Sequence, residues 1–125
     1  MEKVTGIGGV FIKAKDPKAL AEWYDKYLGV PFGKGLFVNY DWQNPIDPSG
    51  STVFSLFKES SDYFEPSKSN VMLNFRVKNL DALLSELKEA GIWVAEKTED
   101  GYGKFGWTMD PEGNKIELWE PVEEK

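Results

Sequence analysis

The clearest chemical signal in the sequence is a carboxylate on an apolar strand near the C-terminus. Residues 110–113 (DPEG) place proline and glycine where a tight turn needs them, and residues 115–119 follow as a strand. Glu117 lies in that strand between Ile116 and Leu118. A carboxylate held among apolar neighbours is typical of a metal ligand or a catalytic base. Glu117 is therefore the candidate catalytic residue.

The chain lacks histidine and cysteine, the residues that usually accompany such a carboxylate in a metal or catalytic site. The chain has 0 histidines and 0 cysteines among 125 residues. The absence of cysteine excludes disulfides, thiolate nucleophiles and thiolate metal sites. Without histidine, no serine–histidine or cysteine–histidine nucleophile can form. Glu117 must act without these groups.

Size and charge restrict the class of protein. A chain of this length suits one compact domain, expected over residues 1–125. The net charge of -6 argues against a nucleic-acid partner, which needs a basic face, and favours a cationic or neutral ligand. No apolar run approaches the roughly 20 residues of a membrane helix, and the first residues do not resemble a signal peptide. A cytoplasmic protein without a membrane partner is expected.

The first half of the chain predicts a strand, a helix and further strands. Asp16 can cap a helix that begins at Pro17 and ends at Gly29. A polar linker is predicted over residues 60–70, although it contains two unexplained aromatics. The strands expected in this half are residues 10–14, 31–33 (weakly), 36–42 and 52–58, with a loop over 43–50.

The second half repeats the same order of elements. Asn79 can cap a second helix that stops at Gly91. The caps Asp16 and Asn79 are 63 positions apart, and the two glycine stops are 62 apart. An internal repeat of this kind constrains the fold more than any single motif. The strands expected here are residues 71–77, 92–97, 105–109 and 115–119.

This repeat resembles the vicinal oxygen chelate superfamily, which includes glyoxalase I, extradiol dioxygenases and the bleomycin-resistance proteins. The segments that carry the resemblance are residues 9–17, 75–83 and 110–118. The resemblance implies an α+β fold of two βαβββ modules, over about residues 5–59 and 70–121. In that fold the modules pair edge to edge into a curled mixed sheet with a cleft, and the helices lie on the outer face.

The resemblance also implies where a divalent metal would be bound. The superfamily's ligand positions match Gly9, Met72, a residue within 54–56, and Glu117. Only Glu117 is a ligand type, and a catalytic ion usually needs at least three protein ligands. We therefore expect no metal cofactor, and no metal-dependent glyoxalase or dioxygenase activity.

Strand alternation predicts which side chains line the cleft. Val10, Ile12, Ala14, Leu73, Phe75, Val77, Ile116 and Leu118 are expected to face the helices. The opposite set, with aromatics from neighbouring strands, gives these candidate ligand-binding residues: Phe11, Lys13, Tyr40, Trp42, Met72, Asn74, Arg76, Trp107 and Trp119. A shift of register by one residue would invert each set.

Three functions fit this pattern. The first is a metal-independent small-molecule binding protein, with a cationic or aromatic ligand stacked on the tryptophans. The second is a lyase or isomerase that uses Glu117 as general base. The third is a structural or regulatory module whose aromatics form the interface of a homodimer, as is common in the family. Glu117 could instead simply pair with Lys13 or Arg76.

Overall fold

Side-chain caps fix the beginnings of both helices, α1 (Pro17–Leu28) and α2 (Leu80–Glu89). In this computed structural model, which describes residues 1–122, Asp16 accepts a hydrogen bond from the Ala19 N–H, and Asn79 accepts one from the Ala82 N–H. Gly29 and Gly91 follow the helix ends with positive φ angles, as predicted. Neither of these helices is long and apolar enough to cross a membrane.

The strands form one mixed, curled sheet with the order β2-β3-β1-β4-β7-β6-β5. Within each half, the strand before the helix pairs in parallel with the last strand of that half, β1 with β3 and β4 with β7. The two halves join through the antiparallel pair β1–β4. The strands are β1 (Val4–Ala14), β2 (Phe37–Asp41), β3 (Ser51–Lys58), β4 (Val71–Val77), β5 (Thr98–Asp100), β6 (Gly103–Met109) and β7 (Lys115–Pro121).

Two of the strand predictions are wrong, those for residues 31–33 and 92–97. Residues 31–33 form a turn, in which the Phe32 N–H donates to the Val30 carbonyl and Gly33 has a φ of 60°. The Phe32 side chain is buried beneath α1, so its apolar character reflects the core. In residues 92–97 only Val94 forms a bridge, and the strand begins later, at β5. The first half is therefore βαββ, and the second is βαβββ.

The hydrophobic core lies between the sheet and the helices in two clusters. Ala21 of α1 packs with Leu56 and Val38, and Leu80 of α2 packs with Val77 and Leu118. Most side chains predicted to face the helices adjoin one of these clusters. The opposite face of the sheet is concave and carries the polar and aromatic side chains discussed below.

Candidate functional site

The register of the strands places the candidate residues in rows across the concave face. Directly paired residues share a face, and Gly9, Asn74, Glu117 and Trp107 form one row across β1, β4, β7 and β6. Neighbouring rows hold Phe11 with Met72, and Arg76 with Trp119 and Phe105. The face has two ends, a closed end around Glu117 and an open end around Arg76.

At the closed end, neutral donors surround the Glu117 carboxylate. The Trp107 Nε1–H donates to Oε1 at 3.1 Å, and the Asn74 amide donates to Oε2 at 2.6 Å. The Tyr63 hydroxyl also donates to Oε1. Glu117 is only 2% exposed, so these bonds replace the water that the carboxylate loses on burial.

The carboxylate is buried without an ion pair. No lysine or arginine nitrogen lies within 4.0 Å of Glu117 in the described part of the chain, so it pairs with neither Lys13 nor Arg76. Burial raises the pKa of Glu117, and the three donated hydrogen bonds lower it by less than burial raises it. Burial and the adjacent carboxylate raise the pKa of Tyr63, which remains a neutral donor. The closed end is thus a buried acid with an elevated proton affinity.

The segment between the two halves fills this end of the concave face. Phe64 is 0% exposed, and its ring packs edge-on against Phe57 at 5.3 Å. The Tyr63 ring stacks on Phe57 at 5.7 Å and meets Trp107 edge-on at 6.2 Å. Lys115 holds the segment in place by donating to the Tyr63 carbonyl at 2.7 Å. The predicted linker over residues 60–70 therefore supplies two side chains of the site.

The closed end does not fit a divalent metal. The other ligand positions that the resemblance implies are Gly9, Met72 and a residue within 54–56, and none of these residues supplies an imidazole or a carboxylate. Both carboxylate oxygens already accept hydrogen bonds. Within residues 1–122, no three histidine, cysteine, aspartate or glutamate side chains are grouped to hold an ion.

At the open end, two indole rings lie close to a buried guanidinium. The Arg76 Cζ atom lies 5.6 Å from the Trp42 ring centroid and 5.1 Å from the Trp119 ring centroid. Both distances are in the range of cation–π contacts. Arg76 and Trp42 line a cleft of about 1260 Å³ between the loop that follows β2 and the ends of β5 to β7.

Glycines in β1, and Gly50 directly before β3, make room for the side chains of both ends. A Cβ at Gly6 or Gly50 would collide with the Trp42 ring, and one at Gly8 would collide with the Asn74 side chain. A hydrogen bond fixes the Trp42 ring in the space beside these glycines, because its Nε1–H donates to Thr52 Oγ1 at 2.7 Å. None of these glycines is among the predicted site residues, although the run of glycines over residues 6–9 inside a strand indicates close approach of other groups.

One candidate lies apart from the others. Tyr40 pairs with Thr52 on the face that also carries Val38, whose side chain is in the core beneath α1. The structure therefore does not bring Tyr40 to the concave face. Lys13 lies at the margin of the closed end, with its Nζ 5.0 Å from the Phe64 ring centroid. The candidates divide as follows: Phe11, Lys13, Met72, Asn74, Trp107 and Glu117 at the closed end, and Trp42, Arg76 and Trp119 at the open end.

Sequence comparison identifies the protein family to which this chain belongs. Residues 9–119 match the family of glyoxalase-like domains, and the chain belongs to that family. The family match and the structural neighbours indicate the vicinal oxygen chelate superfamily. A search of curated protein sequences finds no match.

Solved structures share the fold at low sequence identity. Methylmalonyl-CoA epimerase from Mycobacterium tuberculosis is 21% identical, with a TM-score of 0.65 over 96% of this chain and 90% of that one. A variant of the Streptomyces coelicolor epimerase, in complex with 2-nitronate-propionyl-CoA, is 17% identical with a TM-score of 0.71 over 97% and 100%. A catechol 2,3-dioxygenase is 20% identical, with a TM-score of 0.56 over 95% of this chain and 42% of that one. At these identities the likeness concerns the fold.

Proposed function

We propose that this protein binds a small molecule, without a metal, in the cleft at the open end of its concave face. The observation that carries the proposal is the contrast between the two buried charges. Glu117 is enclosed by donors of its own chain, whereas Arg76 lines a cleft large enough for a ligand. Pockets with aromatic walls and few polar anchors are typical of small-molecule sites.

The donor set supports metal independence. An ion at the family's position would have to displace the hydrogen bonds of Glu117 and would find no second ligand at Gly9 or Met72. Lewis-acid catalysis needs several protein ligands. Binding at Arg76 and Trp42 needs none.

The lyase or isomerase alternative is less favoured by the geometry. A general base must come within hydrogen-bonding reach of its substrate. The Glu117 carboxylate is covered by Tyr63, whose hydroxyl donates to Oε1. Turnover at Glu117 would therefore require residues 60–70 to leave the concave face.

The other expectations remain predictions. A single glyoxalase-like domain, a homodimer and a cytoplasmic location all agree with the proposal, but the proposal does not depend on them. The interface role of Trp42 and Trp107 is less favoured, because both indoles make contacts within their own chain.

Indole N–H signals provide a direct test by nuclear magnetic resonance. Trp42 and Trp119 report on the open end, and Trp107 reports on the closed end. A fragment library, screened with and without EDTA, should give ligands that shift the Trp42 and Trp119 signals and leave Trp107 in place. Assignment would come from single tryptophan-to-phenylalanine variants. The proposal is wrong if no fragment shifts the open-end signals, or if EDTA abolishes every shift.

A further inference from the structure

Arg76 is a buried cation whose hydrogen-bonding capacity is largely unused. It is 7% exposed, and no carboxylate oxygen of residues 1–122 lies within 4.0 Å of its guanidinium. Its hydrogen bond to the Ser49 carbonyl is long, at 3.4 Å. A guanidinium carries five N–H donors, so most of them have no acceptor in this part of the chain. Buried charges are ordinarily paired.

Two indoles shield the guanidinium that a partner would meet. Arg76 Cζ lies within cation–π distance of both the Trp42 ring and the Trp119 ring. Arg76 also lines the large cleft, through which a ligand can reach the guanidinium. The edge of a guanidinium donates two parallel hydrogen bonds to a planar carboxylate. Shielding by the rings strengthens such bonds because it lowers the local dielectric constant.

The rest of the cleft determines what the carboxylate can be attached to. Apolar side chains of Ile46, Pro48 and Val122 line it. The charged lining residues are Asp47, Glu99, Asp100 and Glu120 against Arg76, Lys78 and Lys104. A rim with more acids than bases repels a dianion more than a monoanion. This disfavours phosphate and favours one carboxylate on an apolar body.

We infer that the open end binds a small-molecule carboxylate, held by the guanidinium of Arg76 beside Trp42 and Trp119. This inference rests on the proposed binding function and deepens it by naming the ligand class. It also departs from the cationic ligand that the acidic composition favoured, because the buried charge that faces the cleft is positive.

Titration of benzoate against its neutral analogue benzamide tests the ligand class. Wild-type protein should bind benzoate at least about tenfold more tightly than benzamide, since loss of a charge-assisted pair of hydrogen bonds costs at least that much. Benzoate should shift the Trp42 and Trp119 indole signals. Equal affinities for benzoate and benzamide, or tighter binding of phenyl phosphate than of benzoate, would overturn the inference.

Substitution of Arg76 tests the residue. Arg76→Met should weaken benzoate binding by at least about tenfold and leave benzamide binding nearly unchanged. The matched control is Lys88→Met, which removes the same charge from the exposed end of α2 and should change neither affinity. Undiminished benzoate binding by a folded Arg76→Met variant would overturn the assignment to Arg76. If that variant does not fold, the benzoate–benzamide comparison on wild-type protein still decides the ligand class.

The two proposals fail in different ways. If neutral fragments shift the open-end signals but carboxylates have no advantage, the ligand class is wrong and the binding function stands. If no fragment of any charge shifts those signals, the binding function itself is wrong.

Discussion

The closed and open ends of the concave face differ in how they stabilise a buried charged group. Each end buries one charged group among aromatic rings, Glu117 at one and Arg76 at the other. Glu117 accepts three hydrogen bonds from its own chain, whereas Arg76 donates one long bond to Ser49. A buried charge with a full set of partners organises a core, and one without them is prepared for a ligand. The comparison shows that burial alone does not mark a binding site.

Replacing each buried charge by methionine should give the largest difference between the two ends. Glu117→Met leaves Tyr63, Asn74 and Trp107 with unpaired donors, so it should lower the free energy of unfolding by about 3–5 kcal/mol. Arg76→Met removes a desolvated cation that has no ion pair, and should change stability by less than about 1 kcal/mol. Urea denaturation measures both. Equal losses of unfolding free energy in the two variants would mean that the chain stabilises Glu117 no more than it stabilises Arg76.

Removal of the Phe64 ring, which fills the closed end, should cause the next largest loss of unfolding free energy. Phe64→Ala creates a cavity at a fully buried position and should cost about 3 kcal/mol. The control is Phe37→Ala on the edge strand β2, where the ring is 64% exposed and the cost should stay below about 1 kcal/mol. A Phe64 variant as stable as the Phe37 variant would show that residues 60–70 do not contribute to the core.

Loss of one hydroxyl tests the hydrogen bond between Tyr63 and Glu117. Tyr63→Phe keeps the ring and removes a donor to a buried carboxylate, so it should cost about 1.5–3 kcal/mol. The matched control is Tyr40→Phe on the edge strand β2, where the side chain is 48% exposed and loss of the hydroxyl should cost less than about 0.5 kcal/mol. Thermal or urea unfolding of both variants would compare the two hydroxyls directly.

The titration of Glu117 should make a smaller contribution to the free energy of unfolding, one that depends on pH. Its pKa in the folded protein lies above the ordinary value of about 4.3, so protonation favours the folded state. This contribution is present below about pH 4.3 and is lost as the pH rises through the folded pKa. The free energy of unfolding of the wild type, relative to a Glu117→Gln variant that cannot titrate, should therefore fall as the pH rises above about 4.3. A difference that rises with pH would mean that the donors outweigh burial.

The sequence predicts the strands and the face that their side chains share, but not how that face is filled. Capping residues and period-two alternation are local signals, and they are sufficient to place Asn74 and Glu117 on one row. Tyr63 and Phe64 lie in a segment without periodicity, so nothing local indicates that they fold back onto the sheet. Trp42 follows the end of β2, where alternation no longer fixes the direction of a side chain.

Gly9 limits how this fold could be re-engineered as a metalloenzyme. A Cβ at position 9 would stand 2.7 Å from Phe11 Cε1 and 3.3 Å from Asn74 Cβ. A histidine introduced there would have to displace the aromatic packing of the closed end before it could reach an ion beside Glu117. Introducing a ligand at position 9 would therefore require the Phe11 ring to shift. The glycine at position 9 and the aromatic filling of the closed end are therefore coupled, and a change at one is expected to require a change at the other.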